Sequence, residues 1–169
     1  AQYSMVLNDS GRILDDVIVS RLENSFRVVI NSSNASSIKR WFNLVLNDRA
    51  MNVKLSYRDD LSILAVQGPS SRSCIEKILK IDLNIGYFRL VKAQWDGKWI
   101  IISRTGYTGG LGFEIFIGND DVKQLWEQLL AAGIEPAGLG ARDTLRIEAG
   151  LPLYGKEIVN DTTAYDLGY

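Results

Sequence analysis

The stretch Ser62-Ile63-Leu64-Ala65-Val66-Gln67-Gly68-Pro69, running on into Ser70 to Lys80, decides the fold class. Its first part is an apolar run of strand length, and Gly68-Pro69 then interrupts the chain. Beyond the break, Cys74 with Ile78 and Ile75 with Leu79 recur at the spacing of one helix face. Upstream, Tyr3 to Leu7 and Arg12 to Val19 read as strands about a turn at Asn8-Asp9-Ser10-Gly11, with Phe26 to Ile30 a third. Asn34 offers an N-cap to a helix whose Ile38, Trp41, Phe42, Val45 and Leu46 form an inward stripe. Val53 to Tyr57 reads as a further strand. The order βββαββα predicts an α+β fold, with antiparallel β-sheets and helices packed on one side.

Downstream of Asn84-Ile85-Gly86, Phe88 to Gln94 and Trp99 to Ser103 flank Asp96-Gly97, a tight-hairpin dipeptide. Phe113 to Ile117 reads as another strand. Asp120 opens a helix with Val122, Leu125, Trp126, Leu129 and Leu130 expected inward, and Gly133 closes it. From Pro136 to Gly155, Gly138 and Gly140 free the backbone before a helix on which Arg142 and Arg146 share a face, and Gly150 with Pro152 ends it. A division near Gly86 gives two α+β subdomains, 1–86 and 87–169.

The balance of 19 basic against 20 acidic residues leaves no basic surplus for nucleic acid, and no apolar run is long enough to span a bilayer. The chain has no histidine and one cysteine, Cys74. Serine–histidine and cysteine–histidine catalysis within the chain are therefore excluded, as are histidine-based zinc sites and intrachain disulfides. Cys74, at helical spacing with Ile78, reads as a small core residue. Proton transfer is left to carboxylates, tyrosines, lysines and water.

Asp15 and Asp16 are adjacent in an apolar strand, so their side chains are expected on opposite faces, with at most one entering a given site. A carboxylate in such a strand needs a ligand, hydrogen bonds or a cation. A pair near a strand end that points to solvent fits the sequence equally well. Glu114 shares a face with Phe116, and a carboxylate beside an aromatic ring suits a flat heterocycle bearing amino and amide hydrogens. An edge-strand glutamate is the plainer alternative. Arg104 to Gly112 packs glycines between two strands without the lysine and following helix of a phosphate-binding loop. An arginine beside the helix start after Gly138 makes a grip for a carboxylate or phosphate; pairing of Arg142 and Arg146 with Asp143 and Glu148 is the ordinary alternative.

Ile13 to Val19, Leu64 to Pro69, Gly106-Tyr107-Thr108-Gly109 with Gly112-Phe113-Glu114-Ile115, and Pro136 to Ile158 together resemble the aminomethyltransferases of the glycine cleavage system, the T-protein family. The resemblance runs in order along essentially the whole chain. It implies transfer of a one-carbon unit from an aminomethyl group on the lipoyl arm of a partner, the H-protein, to tetrahydrofolate as acceptor, with release of ammonia and no metal. By resemblance Asp16 is the catalytic aspartate, Glu114 binds the pterin and Arg142 meets the glutamate tail. Tyr107, Asn31 and Val29 line the same pocket, and Arg146 is left to structural ion pairing.

The resemblance also implies that an N-terminal portion and a C-terminal barrel-like domain lie outside this chain, which is then expected to bind folate weakly and turn over little. Where the family often carries Glu-Asp after Gly-Tyr-Thr-Gly, this chain has Gly110-Leu111. In that respect it is similar to the folate-binding domains of sarcosine and dimethylglycine dehydrogenases, the alternative together with a folate-binding module without turnover. Leu151 to Ile158 fits the T-protein better. The Lys-Gly-Cys-Tyr signature of a relative that repairs iron–sulfur enzymes is absent. Bacterial cytoplasm and mitochondrial matrix both suit the family.

Overall fold

A computed structural model of the chain describes residues 1–159 and 161–168. It packs as two units, Ala1–Ser56 with Pro152–Tyr169, and Tyr57–Leu151. The division read at Gly86 falls inside the second unit, because the segments before and after it share one sheet and one core.

In the first unit, β1 (Gln2–Leu7), β2 (Ile13–Arg21) and β3 (Phe26–Val29) form an antiparallel sheet in that order. The β1–β2 turn uses Gly11 at φ 76°, and the Asn8 Oδ1 accepts from the backbone N–H of Ser10 and Arg12, both at 3.0 Å. An Asx side chain that replaces backbone partners in this way fixes the turn. After a 3-10 turn at Ser32–Asn34, α1 spans Ala35–Asp48. Asn34 stands at its N-cap position but caps nothing: its Nδ2 donates to the Leu14 carbonyl at 2.5 Å. Of the expected stripe only Ile38 is fully buried, with Trp41, Phe42, Val45 and Leu46 half-buried. The returning chain beyond Pro152 joins this unit through the Ile13 N–H, which donates to the Thr162 carbonyl at 2.9 Å, and through the fully buried Ile158.

Val53 to Tyr57 is not a strand. Val53 is 55% exposed and the segment pairs with neither sheet; β-branched and aromatic residues favour a pleated surface only where a neighbouring strand supplies one.

The second unit runs β4 (Leu61–Gln67), α2 (Ser71–Leu79), β5 (Leu90–Trp95), β6 (Lys98–Ser103), β7 (Gly112–Gly118), α3 (Val122–Ala131) and α4 (Leu139–Glu148). Its sheet is antiparallel throughout, in the order β4-β7-β6-β5. Asp96 and Gly97 both have positive φ, the backbone of a type I′ turn, so β5 and β6 close as the dipeptide predicts. The α2 residues Ile75 and Leu79 and the α3 residues Leu125 and Leu129 pack with Phe113, Ile115 and Ile117 of β7 in one core. Each helix meets the sheet along one narrow seam. Consequently Trp126 and Leu130, one step further round α3, are exposed, and Cys74 is half-buried rather than in the core. Gly133, at φ 88°, follows the end of α3 as a C-terminal glycine should. Among the described residues no helix is long and apolar enough to cross a membrane.

Candidate functional site

The apolar alternation of β2 buries Ile13, Asp15 and Val17 on one face and leaves Leu14, Asp16 and Ile18 half-buried on the other. Asp15 is fully buried. The two side chains leave on opposite faces, as strand alternation predicts, yet the two carboxylates share one partner. β3 ends at Val29, and just beyond it Asn31 turns over the edge of β2. Its Nδ2 donates to Asp15 Oδ1 and Asp16 Oδ1, each at 2.8 Å, and to the Asp16 carbonyl at 3.1 Å, while its backbone N–H donates to Asp15 Oδ2 at 3.2 Å. The Tyr3 hydroxyl donates to Asp16 Oδ2 at 3.1 Å. Burial raises the pKa of Asp15 above its ordinary value; the bonds from Asn31 work against that, and the neighbouring Asp16 charge reinforces it. Asp16 thus sits in a held rotamer, one oxygen on Tyr3 and one on Asn31. The Asn31 amide hydrogens are committed to protein acceptors, which leaves its Oδ1 for any ligand. Val29 is half-buried and pairs with Ile18.

In the second unit Glu114 lies on β7 between Ala65 of β4 and Ser103 of β6, an interior strand rather than an edge. The buried Thr105 hydroxyl donates to Glu114 Oε2 at 2.5 Å. The glycine-rich loop before β7 is fastened by Gln67, at the end of β4. Its Nε2 donates to the Phe113 carbonyl at 3.1 Å and the Thr105 carbonyl at 3.4 Å, and its Oε1 accepts from the Thr108 hydroxyl at 3.4 Å. A Cβ at Gly112 or Gly106 would stand 1.8 or 2.0 Å from the Gln67 Oε1, so these two glycines make room for the fastening. Gly109, at φ 72°, comes close enough to α4 that a Cβ there would stand 2.6 Å from that of Ala149.

The loop therefore meets α4, and there the Arg142 guanidinium carbon lies 4.7 Å from the centre of the Tyr107 ring. Stacking on an aromatic face orients the guanidinium plane while its N–H fork stays available. Among the described residues the exposed Arg142 side chain has no hydrogen bond or ion pair. Arg146, one turn on, meets the opposite surroundings: 2% exposed, its Nε donates to Asp143 Oδ1 at 2.8 Å and its Nη1 to the Leu151 carbonyl at 3.3 Å. Asp143 thus pairs with Arg146 and not with Arg142.

The structure accordingly brings Asp16, Asn31 and Val29 together in one unit, and Glu114, Tyr107 and Arg142 around one loop in the other. Sequence reasoning passed over Tyr3, Thr105 and Gln67, whose work is to hold the named residues. Gln67 and Thr105 lie inside or beside the motifs, yet nothing in their residue types announces a fastening. Among the described residues no group of three or more histidine, cysteine or acidic side chains could hold a metal ion.

The family model of the GCVT N-terminal domain matches residues 1–169. The chain belongs to this family. Within the GCVT N-terminal domain family it is 40% identical over 171 residues to an aminomethyltransferase of Staphylococcus epidermidis, covering 99% of this chain and 47% of that protein. It is 42% identical over 175 residues to an aminomethyltransferase of Stenotrophomonas maltophilia, with 98% and 46% covered. The crystal structure of glycine cleavage system aminomethyltransferase T from Bartonella henselae superposes with a TM-score of 0.81 at 34% identity, over 96% of this chain and 44% of that one. The chain thus spans about half the length of the curated relatives it matches.

Proposed function

We propose that the chain is the part of a tetrahydrofolate-dependent aminomethyltransferase of the glycine cleavage system that carries its catalytic aspartate and folate-binding residues. The observation that carries this reading is the similarity to aminomethyltransferases along 99% of the chain, which includes every candidate residue. The partner is a lipoylated H-protein and the acceptor is tetrahydrofolate, in bacterial cytoplasm or mitochondrial matrix.

In the reaction the aminomethyl carbon loses its bonds to sulfur and to the amine and gains bonds to two folate nitrogens. The two protons released by those nitrogens leave on ammonia and on the lipoyl thiol, so the exchange needs no oxidant. Asp16, held by Tyr3 and Asn31, is suited to orient a nucleophilic N–H and accept its proton without reorganising. Glu114, fixed by Thr105 on an interior strand, offers its other carboxylate oxygen to amino and amide hydrogens of the pterin. Arg142, stacked on Tyr107, presents its fork to a carboxylate of the glutamate tail.

The test is methylenetetrahydrofolate formation by the full-length protein from aminomethylated H-protein. Asp16→Asn keeps the shape and removes the base, and is expected to lower kcat by about 10²-fold or more, the usual share of general acid–base catalysis. A rate equal to wild type would remove the proton-handling role from Asp16. Folate binding without product formation in the wild-type protein would favour a binding module.

A further inference from the structure

Beside the start of β7 the second unit carries a cleft of about 400 Å³ lined by Tyr87, Arg104, Gly109, Gly110, Leu111 and Gly112. Arg104 is half-buried and, among the described residues, is the one charged member of the lining. Its Nη1 donates to the Ile85 carbonyl at 3.0 Å, but its Nε is buried and meets no acceptor. Among the described residues no carboxylate pairs with it. A guanidinium withdrawn from water without an anion is costly, and a buried N–H without an acceptor requires an explanation.

The local backbone holds this arrangement firmly. The Arg104 N–H donates to the Arg89 carbonyl at 2.8 Å, and its carbonyl accepts from the Phe88 N–H at 3.1 Å. Phe88 is kept at φ 58°, a left-handed conformation that a bulky aromatic residue adopts only when its surroundings over-determine it. Beside it Tyr87 stands 65% exposed, its ring 4.6 Å from that of Phe88 and edge-on. Opposite, Gly109 and Gly110 are exposed and carry no side chain, so a ligand can approach the backbone closely.

We propose that this cleft is a binding site for a carboxylate, with Arg104 as its counter-ion. A single guanidinium fork matches the two oxygens of a singly charged carboxylate. A doubly charged phosphate calls for a second cation, and among the described residues the lining contains none. Glu114, Tyr107 and Arg142 do not line the cleft, so the site stands independently of the folate reading.

Acetate titrated into the protein at constant ionic strength tests the site, with the amide resonances of Gly109, Gly110 and Gly112 and the Arg104 Nε–H signal followed by NMR. Inorganic phosphate forms the second arm. Saturable acetate-dependent shifts at these positions are expected, with a weaker response to phosphate, and Arg104→Gln is expected to weaken acetate binding by about tenfold or more. Gly110→Glu provides a second variant should Arg104→Gln fail to fold. A Cβ at Gly110 meets nothing within 4 Å, so the new side chain can place its own carboxylate in the cleft and abolish the acetate response. Linear, unsaturable shifts in the wild type, unchanged binding in folded Arg104→Gln, or acetate binding retained in Gly110→Glu would overturn the proposal. Tighter binding of phosphate than of acetate would overturn the carboxylate assignment.

Discussion

Two carboxylates on one strand meet the same amide, and the buried member, Asp15, carries a pH signature. Asp15 has its pKa raised from 3.8 by burial, with the Asn31 bonds only partly offsetting that and the Asp16 charge adding to it. Below 3.8 both the folded and unfolded chains hold the proton; above the folded value neither does. Between these limits the folded state keeps a proton that the unfolded chain has released, so stability falls as pH rises through the window. Asp15→Asn cannot titrate. The stability of wild type relative to Asp15→Asn, from urea unfolding at a series of pH values, is therefore expected to decline from about 3.8 upward and then level off. A difference independent of pH would mean that Asn31 satisfies the carboxylate as fully as water does. The sequence made Asp15 and Asp16 conspicuous, as acidic residues in an apolar strand. It could not separate their environments, because Asn31, fifteen or sixteen positions away, meets both, and what distinguishes them is the full burial of Asp15 and the bond that Asp16 accepts from Tyr3.

At the scale of the elements, the loop before β7 is fastened by a glutamine, and its glycines matter as much for the room they leave as for their backbone freedom. A Cβ at Gly112 would displace the Gln67 amide, the far end of a flexible side chain, so the steric cost itself can be relieved. Relief breaks the bonds from Gln67 Nε2 to the Phe113 and Thr105 carbonyls, each worth about 0.5–1.5 kcal/mol. Gly112→Ala is expected to lower stability by about 1–3 kcal/mol in the wild-type background. With Gln67→Ala already present it should cost far less, since the displaced group is gone. A double-mutant cycle by urea unfolding measures this coupling, expected at about 0.5–3 kcal/mol for residues in contact. Additive effects would show that Gly112 is needed for some reason other than Gln67. The glycine spacing was plain in the sequence, as were the Asp96-Gly97 hairpin and the strand and helix around Gly68-Pro69, since each of these follows from local conformation. Trp126 and Leu130 were misread because periodicity gives the direction of a helix's apolar face and not the width of the surface that covers it.

For the molecule as a whole, the division into units was hidden because the first crossing, after Ser56, carries no glycine- or proline-rich linker, and the second, at Leu151 between Gly150 and Pro152, falls inside the run read as one motif. Only the pairing of β4 with β7 shows that the segments on both sides of Gly86 belong to one sheet. The division bears directly on the proposed function. Asp16, Asn31 and Val29 belong to the first unit, while Tyr107, Glu114 and Arg142 belong to the second. A ligand that engages only one of these sets stabilises the unit that holds it; a ligand that engages both raises the opening free energy of both. Native-state hydrogen exchange with and without tetrahydrofolate separates the two cases. If one folate is read by Glu114 and Arg142 while Asp16 attends its nitrogens, saturating folate should slow exchange in β2 around Asp16 as well as in β7. At 100 times its dissociation constant, the full linkage effect is about 2.7 kcal/mol, or roughly a hundredfold in exchange rate for amides that exchange through global opening. Protection confined to β7 and α4 would leave folate binding in the second unit and require a different role for Asp16. Protection in neither would detach all six residues from folate.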